Sequence, residues 1–324
     1  IEVLDPAKEP LEPSFPPVTL LLAAALLCGL GVGSVVALAI DHRDLRIRGL
    51  PDLETALADQ NLQTLGQLPQ LQLDARLGLS NARAQRRQRD LFTHLFPRSL
   101  MAERCRAVRT SLSFAQAGDA PHTLMITSPN IGEGKSSAAI NLALSFCQAG
   151  KRVLLVDADL RRPRLHDVFA APGESPGLSA ALRGEAEVDD VIVSSGEGWP
   201  EHLSVLPSGE SPQNPADLLD SARCRALLAA LKRRFDVVLL DTPPVLLVTD
   251  PVVLAGMVDG VLLVARCNLT TQSELRRAVV TLRGGVVNLM GVILNEVEER
   301  SRRGADKIGE YAYYMRELDQ GARS

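Results

Sequence analysis

The stretch Thr123-Leu-Met-Ile-Thr127-Ser-Pro-Asn-Ile-Gly132-Glu133-Gly134-Lys135-Ser136-Ser137 reads as a short strand that passes through a glycine turn into a helical pattern, Ala138 to Gln148. Glycines let successive backbone N–H groups converge on phosphate oxygens, and the helix that follows turns its positive end toward the same anion. Lys135 adds a mobile positive charge for the terminal phosphates, and Ser136 offers a hydroxyl ligand to Mg2+. The candidate phosphate contacts are therefore Gly132, Glu133, Gly134, Lys135, Ser136 and Ser137. The glycine expected five positions before Gly134 is replaced by Pro129.

Two further strands end in carboxylates. Leu154-Leu-Val-Asp157-Ala-Asp159-Leu-Arg161 carries two, and Phe235-Asp-Val-Val-Leu-Leu-Asp241 carries another at its end. Open α/β sheets bind ligands at the carboxyl ends of their strands. One such aspartate could simply cap the next helix. Three of them near one phosphate loop read as a set for metal and proton handling. Apolar runs of strand length recur at 123–127, 153–156, 203–206, 237–240, 261–265 and 292–294, several without polar alternation, as strands covered on both faces require. Helical stretches separate them, which implies parallel pairing through right-handed crossovers. The expected fold is a doubly wound, mostly parallel sheet with helices on both faces, spanning residues 98–300. Asn295, just after the last strand, suits a helix cap or turn, and it lies at a position that resembles the adenine contact of related P-loop ATPases.

The rest of the 324 residues frames that domain. Lys+Arg number 35 against Asp+Glu 39, a charge of −4, which argues against a nucleic-acid binder. The five cysteines form no C-x-x-C pair, so a disulfide framework or zinc site is not expected. Val18 to Ile40 contains only Thr19 and Ser34 as polar side chains, and as a helix it matches a hydrocarbon core of roughly 30 Å. It is expected to span a membrane. Arg43, Arg46 and Arg48 follow it and only Lys8 precedes it, which places the larger part in the cytoplasm. Residues 1–17 read as a proline-rich outer stub, 41–97 as a polar linker with an arginine cluster (Arg83, Arg86, Arg87, Arg89), and 301–324 as a tail holding all three tyrosines, Tyr311, Tyr313 and Tyr314.

Phosphate loop, Asp157-x-Asp159-x-Arg161 and Leu-Leu-Asp241 together resemble the Walker A, A′ and B motifs of the bacterial tyrosine kinases of exopolysaccharide and capsule synthesis. Glu103-x-x-Arg106-x-x-Arg109 is similar to that family's oligomerisation motif, and Asn214-Pro215-Ala-Asp-Leu218-Leu219 to a family segment between A′ and B. The tyrosines lie where the family carries its autophosphorylated cluster. The proline stub and membrane helix resemble the end of a Wzz-like chain-length-determinant region. The resemblance implies a P-loop NTPase fold and an ATP- and Mg2+-dependent protein-tyrosine kinase with Lys135, Asp157, Asp159 and Asp241 as catalytic residues. Ser136, Asp157 and Asp241 would hold the metal, and either Asp157 or Asp159 would be the base. It also implies autophosphorylation at Tyr311, Tyr313 and Tyr314, and a ring of like subunits built through Glu103, Arg106 and Arg109. Its setting would be the bacterial inner membrane, beside the machinery of polysaccharide polymerisation and export, with no nucleic-acid partner. The sequence departs from the family's loop at Ile131, where a proline is usual. Asn130 stands where partition and cell-division ATPases carry a signature lysine. A membrane-anchored ATPase switch and a nucleotide-gated scaffold are the rival readings.

Overall fold

The structure, a computed structural model, describes residues 18–43, 45–71, 82–114, 122–169, 176–194, 199–285 and 287–298. It divides into two units, residues 1–45 and 46–324. The first contains one helix, α1 (Val18–Arg43), 26 residues long. Its leucines and valines between Leu20 and Val36 are exposed. Among the described residues no helix is long and apolar enough to cross a membrane, the described side chains of α1 being residues 20–36.

The second unit opens with α2 (Leu50–Leu57), β1 (Thr64–Pro69), α3 (Ala82–Asp90), α4 (Phe92–Leu95) and α5 (Leu100–Phe114). It continues through β2 (Thr123–Thr127), α6 (Lys135–Cys147), β3 (Val153–Asp157), α7 (Leu165–Phe169), α8 (Leu178–Arg183) and α9 (Val188–Val191). Then come β4 (Leu203–Leu206), α10 (Pro215–Leu219), α11 (Ala222–Arg234), β5 (Val237–Asp241), α12 (Asp250–Ala255), β6 (Gly260–Arg266), α13 (Gln272–Arg283) and β7 (Leu289–Val297).

The seven strands form one sheet in the order β1-β7-β6-β2-β5-β3-β4, and every pairing between neighbours is parallel. Side chains along a strand point alternately to the two faces, so an apolar run feeds two cores at once. Met125, Leu154, Val156, Val238 and Leu240 join one core with residues of α2, α11, α12 and α13. Leu124, Ile126, Leu155, Val237 and Leu239 join the other with residues of α5, α6 and α7.

The expected linker needs correction. Residues 46–71 belong to the domain: Ile47 and Leu53 are fully buried in the first core, and β1 is the edge strand beside β7. The arginine cluster lies on α3, and α4 packs with it against α6, through Asn141 Oδ1 accepting from Thr93 N–H at 2.9 Å and Gln148 Nε2 donating to Thr93 O at 2.8 Å. The domain therefore begins well before residue 98. The proline stub and Tyr311, Tyr313 and Tyr314 lie outside the described residues.

Candidate active site

Three strand ends and one helix start meet at the carboxyl edge of the sheet. The turn after β2 needs glycine twice, since Gly132 and Gly134 hold φ of 77° and 86°. At Gly134 a side chain has no room either: its Cβ would lie 2.0 Å from Asn295 Nδ2. The amides of Lys135, Ser136 and Ser137 open α6, where first-turn N–H groups have no partner within the helix. A cleft of about 860 Å³ lies over this turn, lined among others by Gly134, Lys135, Ser136, Asp159, Pro243 and Asn295.

The loop is braced from below. Glu133 is 1% exposed; it accepts a hydrogen bond from Asn130 N–H at 2.7 Å and another from the Thr270 hydroxyl at 2.6 Å. Burial pushes its carboxyl up to about 7, against the pull of those two donors. Its side chain thus shapes the turn from beneath. Asn295 Nδ2 donates to Glu133 O at 2.9 Å, and Arg266 Nη1 donates to Gly132 O at 2.8 Å. Nothing in the local sequence signalled Arg266, at the end of β6, or Thr270, in the turn that follows it.

Asp157 and Asp241 are register partners on the adjacent strands β3 and β5, and both are fully buried. Lys135 Nζ lies 3.0 Å from Asp159 Oδ2 and 3.3 Å from Asp241 Oδ1, so Lys135, Asp159 and Asp241 converge as the sequence suggested. Asp157 faces the other way in part. Its Oδ2 accepts from the backbone N–H groups of Arg164 at 2.9 Å and Leu165 at 2.8 Å. Burial first, then the neighbouring Asp241, pushes the Asp157 carboxyl up to about 7, while the two amides and Lys135 oppose the rise. Burial likewise raises Asp241, with Lys135 the main opposing influence. For Lys135 burial acts to lower the ammonium, but Asp241 and Asp159 outweigh it and the net direction is upward.

Among the described residues no three His, Cys, Asp or Glu side chains gather as a metal cage. Mg2+ in nucleotide sites is held by one or two carboxylates with substrate phosphates, so a cage is not required. The buried Asp157 Oδ1 and Asp241 Oδ2 have no hydrogen-bond partner in the protein, and the Ser136 hydroxyl accepts from Lys135 Nζ at 3.4 Å. Hard oxygen ligands with spare lone pairs beside a phosphate cradle fit the ion.

Other expected residues have local roles. The Ser137 hydroxyl donates to Asp90. Arg161 makes a two-pronged pair with Asp250 at 2.8 and 2.9 Å. Glu103 and Arg106 pair with each other on α5, and Arg109 donates to Ser145 O on α6, so all three have partners within the chain.

Residues 123–283 match a family described as the AAA domain. The chain is 37% identical over 238 residues to the tyrosine-protein kinase YwqD of Bacillus subtilis (strain 168), a match covering 74% of this chain and 96% of that protein. It is 33% identical over 311 residues to the tyrosine-protein kinase etk of Escherichia coli (strain K12), covering 93% of this chain but 42% of that longer protein. The solved kinase domain of the Escherichia coli tyrosine kinase ETK superposes with a TM-score of 0.67 at 33% identity, over 76% of this chain and 95% of the domain.

Proposed function

The chain belongs to the bacterial tyrosine-protein kinases, and from that premise we propose how its cleft moves a phosphoryl group from ATP to tyrosine. The single observation behind the proposal is that Lys135, Asp159 and Asp241 meet within 3.3 Å under the glycine turn. The loop amides and the first turn of α6 hold the phosphates. The Lys135 ammonium, now between two carboxylates, turns to the β- and γ-phosphates as they enter. Ser136, Asp157 and Asp241 would hold Mg2+, which when bound offsets charge on the transferring group. Asn295, below the turn, borders the space for the base. The acceptor phenol oxygen bonds to the γ-phosphorus as the bond to the leaving ADP oxygen breaks. Asp157 or Asp159 takes the phenol proton. A tyrosine's reference pKa is near 10, so a carboxylate placed to accept that proton is required. Asp157, raised toward neutrality by burial, suits the task.

The acceptors in this reading are Tyr311, Tyr313 and Tyr314, phosphorylated in trans within a ring of subunits joined through Glu103, Arg106 and Arg109. Helix α1 spans the bacterial inner membrane; its 26 residues, about 39 Å at 1.5 Å each, support this, as does the apolar run Val18–Ile40. The kinase then acts in the cytoplasm on the polymerisation and export of a capsular or exopolysaccharide.

The test is to mix a Lys135→Met chain with an active chain lacking residues 305–324, add Mg·ATP, and blot for phosphotyrosine. Label on the Lys135→Met tail is expected. An unlabelled tail beside a control of active full chain that labels itself rejects transfer between subunits. A control without label rejects the kinase reading, and ATP hydrolysis without phosphotyrosine would favour an ATPase switch.

A further inference from the structure

Asp90 ends α3, outside every motif that the sequence singles out, yet it is fully buried beside the cleft. A buried carboxylate persists only with partners, and this one has two from different parts of the site. Its Oδ2 pairs with Arg164 Nη2 at 2.6 Å, and its Oδ1 accepts from the Ser137 hydroxyl. Ser137 lies in the first turn of the helix that receives the phosphates. Arg164 follows Asp157 by seven residues and returns to it, its backbone N–H donating to Asp157 Oδ2 at 2.9 Å. The guanidinium of Arg164 is 34% exposed and borders the cleft. Without Asp90 it would be free to swing toward Asp157, Asp159 or the phosphates.

Burial raises the Asp90 carboxyl, while Arg164 and Ser137 hold it toward the charged form. Asn141 on α6 fastens the helix that carries Asp90 and the helix after it: Asn141 Nδ2 donates to Arg89 O on α3 at 3.2 Å, and Asn141 Oδ1 accepts from Thr93 N–H on α4 at 2.9 Å. Asp90 therefore sits on a firm support.

We propose that Asp90 is a positioning residue for phosphoryl transfer, fixing the loop that carries Arg164 so that its amide holds the Asp157 carboxylate in place. Asp90 touches neither nucleotide nor acceptor, and acts through Arg164. The inference rests on the kinase reading above and extends it to α3. Misplacement of a reacting group by about 1 Å costs roughly a hundredfold in rate, so a loosened Asp157 should lower turnover about ten- to a hundredfold. Binding of ATP, made by the loop amides, should change little.

The experiment measures kcat and the KM for ATP, as tyrosine phosphate formed by the full chain, in wild type, Asp90→Asn, Arg164→Gln and the double variant. Thermal unfolding is recorded for each. Each single change is expected to lower kcat at least tenfold with KM within about twofold, and the double variant to be no slower than the slower single. Wild-type kcat in either single variant overturns the proposal, as does a double variant in which the two losses multiply. A fall that merely tracks the unfolded fraction also overturns it. Should Asp90→Asn not fold, Arg164→Gln, altered at a partly exposed guanidinium, decides on the same kcat and KM criteria. A wild-type chain that forms no phosphotyrosine would instead refute the kinase reading itself.

Discussion

Replacing Gly134 by alanine tests the cradle at its tightest point. With φ at 86°, an alanine there adopts a left-handed conformation at a cost of about 1 kcal/mol. Its Cβ would stand 2.0 Å from Asn295 Nδ2 and 3.3 Å from Asn295 Cγ, so the asparagine must leave. Leaving breaks its bond to Glu133 O, a further loss of about 1–2 kcal/mol because the site is buried. The sum is roughly 2–3 kcal/mol, which for a domain of this size lowers Tm by roughly 4–12 °C. Thermal unfolding of the full chain reads this directly, and titration with a fluorescent ATP analogue should show weakened binding as the amides lose their convergence. Asn295→Ala removes the clash along with the bond. Gly134→Ala placed on that background should therefore cost only the backbone strain, about 1 kcal/mol. An unchanged Tm and ATP affinity in Gly134→Ala would refute the reasoning, as would a double variant whose losses simply add.

Further outcomes follow from the same geometry. Leu53→Ala, in the segment that reads as linker, should destabilise the domain by about 2–5 kcal/mol, measured by urea unfolding; a change below about 1 kcal/mol would detach that segment from the core. Glu133 has its carboxyl raised from 4.5 to about 7 in the fold, so the folded state binds the proton more tightly and this group's contribution is largest at low pH. That contribution fades as pH rises from about 4.5 to 7, a swing of roughly 3 kcal/mol at most. Glu133→Gln should flatten that part of the stability–pH curve, and an unchanged slope contradicts the burial argument. Arg106→Ala removes a partly exposed pair worth about 1 kcal/mol or less, so Tm should hardly move. Light scattering should nevertheless show smaller assemblies, and an intact ring would remove Arg106 from the interface.

Much of the sheet was legible because β2, β3, β5 and β6 are near-continuous apolar runs, the signature of strands covered on both faces. The phosphate loop was legible because its glycines and Lys135 have no common structural alternative between a strand and a helix. Strand β1 was not. Thr64-Leu-Gly-Gln-Leu-Pro69 has two apolar residues, with glycine and proline that weaken strand propensity, and its place at the sheet edge is what tolerates them. Asp90 reads as one more charge at the end of an arginine run. Only its contact with Ser137 and Arg164, 47 and 74 positions away, makes it part of the site. Glu133 resembled a phosphate contact by position, and its burial depends on Thr270, 137 residues further along. Local spacing carries neither relation.

The most direct measurement is mass-spectrometric mapping of phosphate on the full chain after incubation with Mg·ATP, alongside Lys135→Met. Phosphate on Tyr311, Tyr313 or Tyr314 of the wild type and none on the variant is the predicted result. Equal labelling of both chains, or tyrosines that stay bare in a wild type that binds ATP, would contradict the assignment of phosphoryl transfer to this cleft.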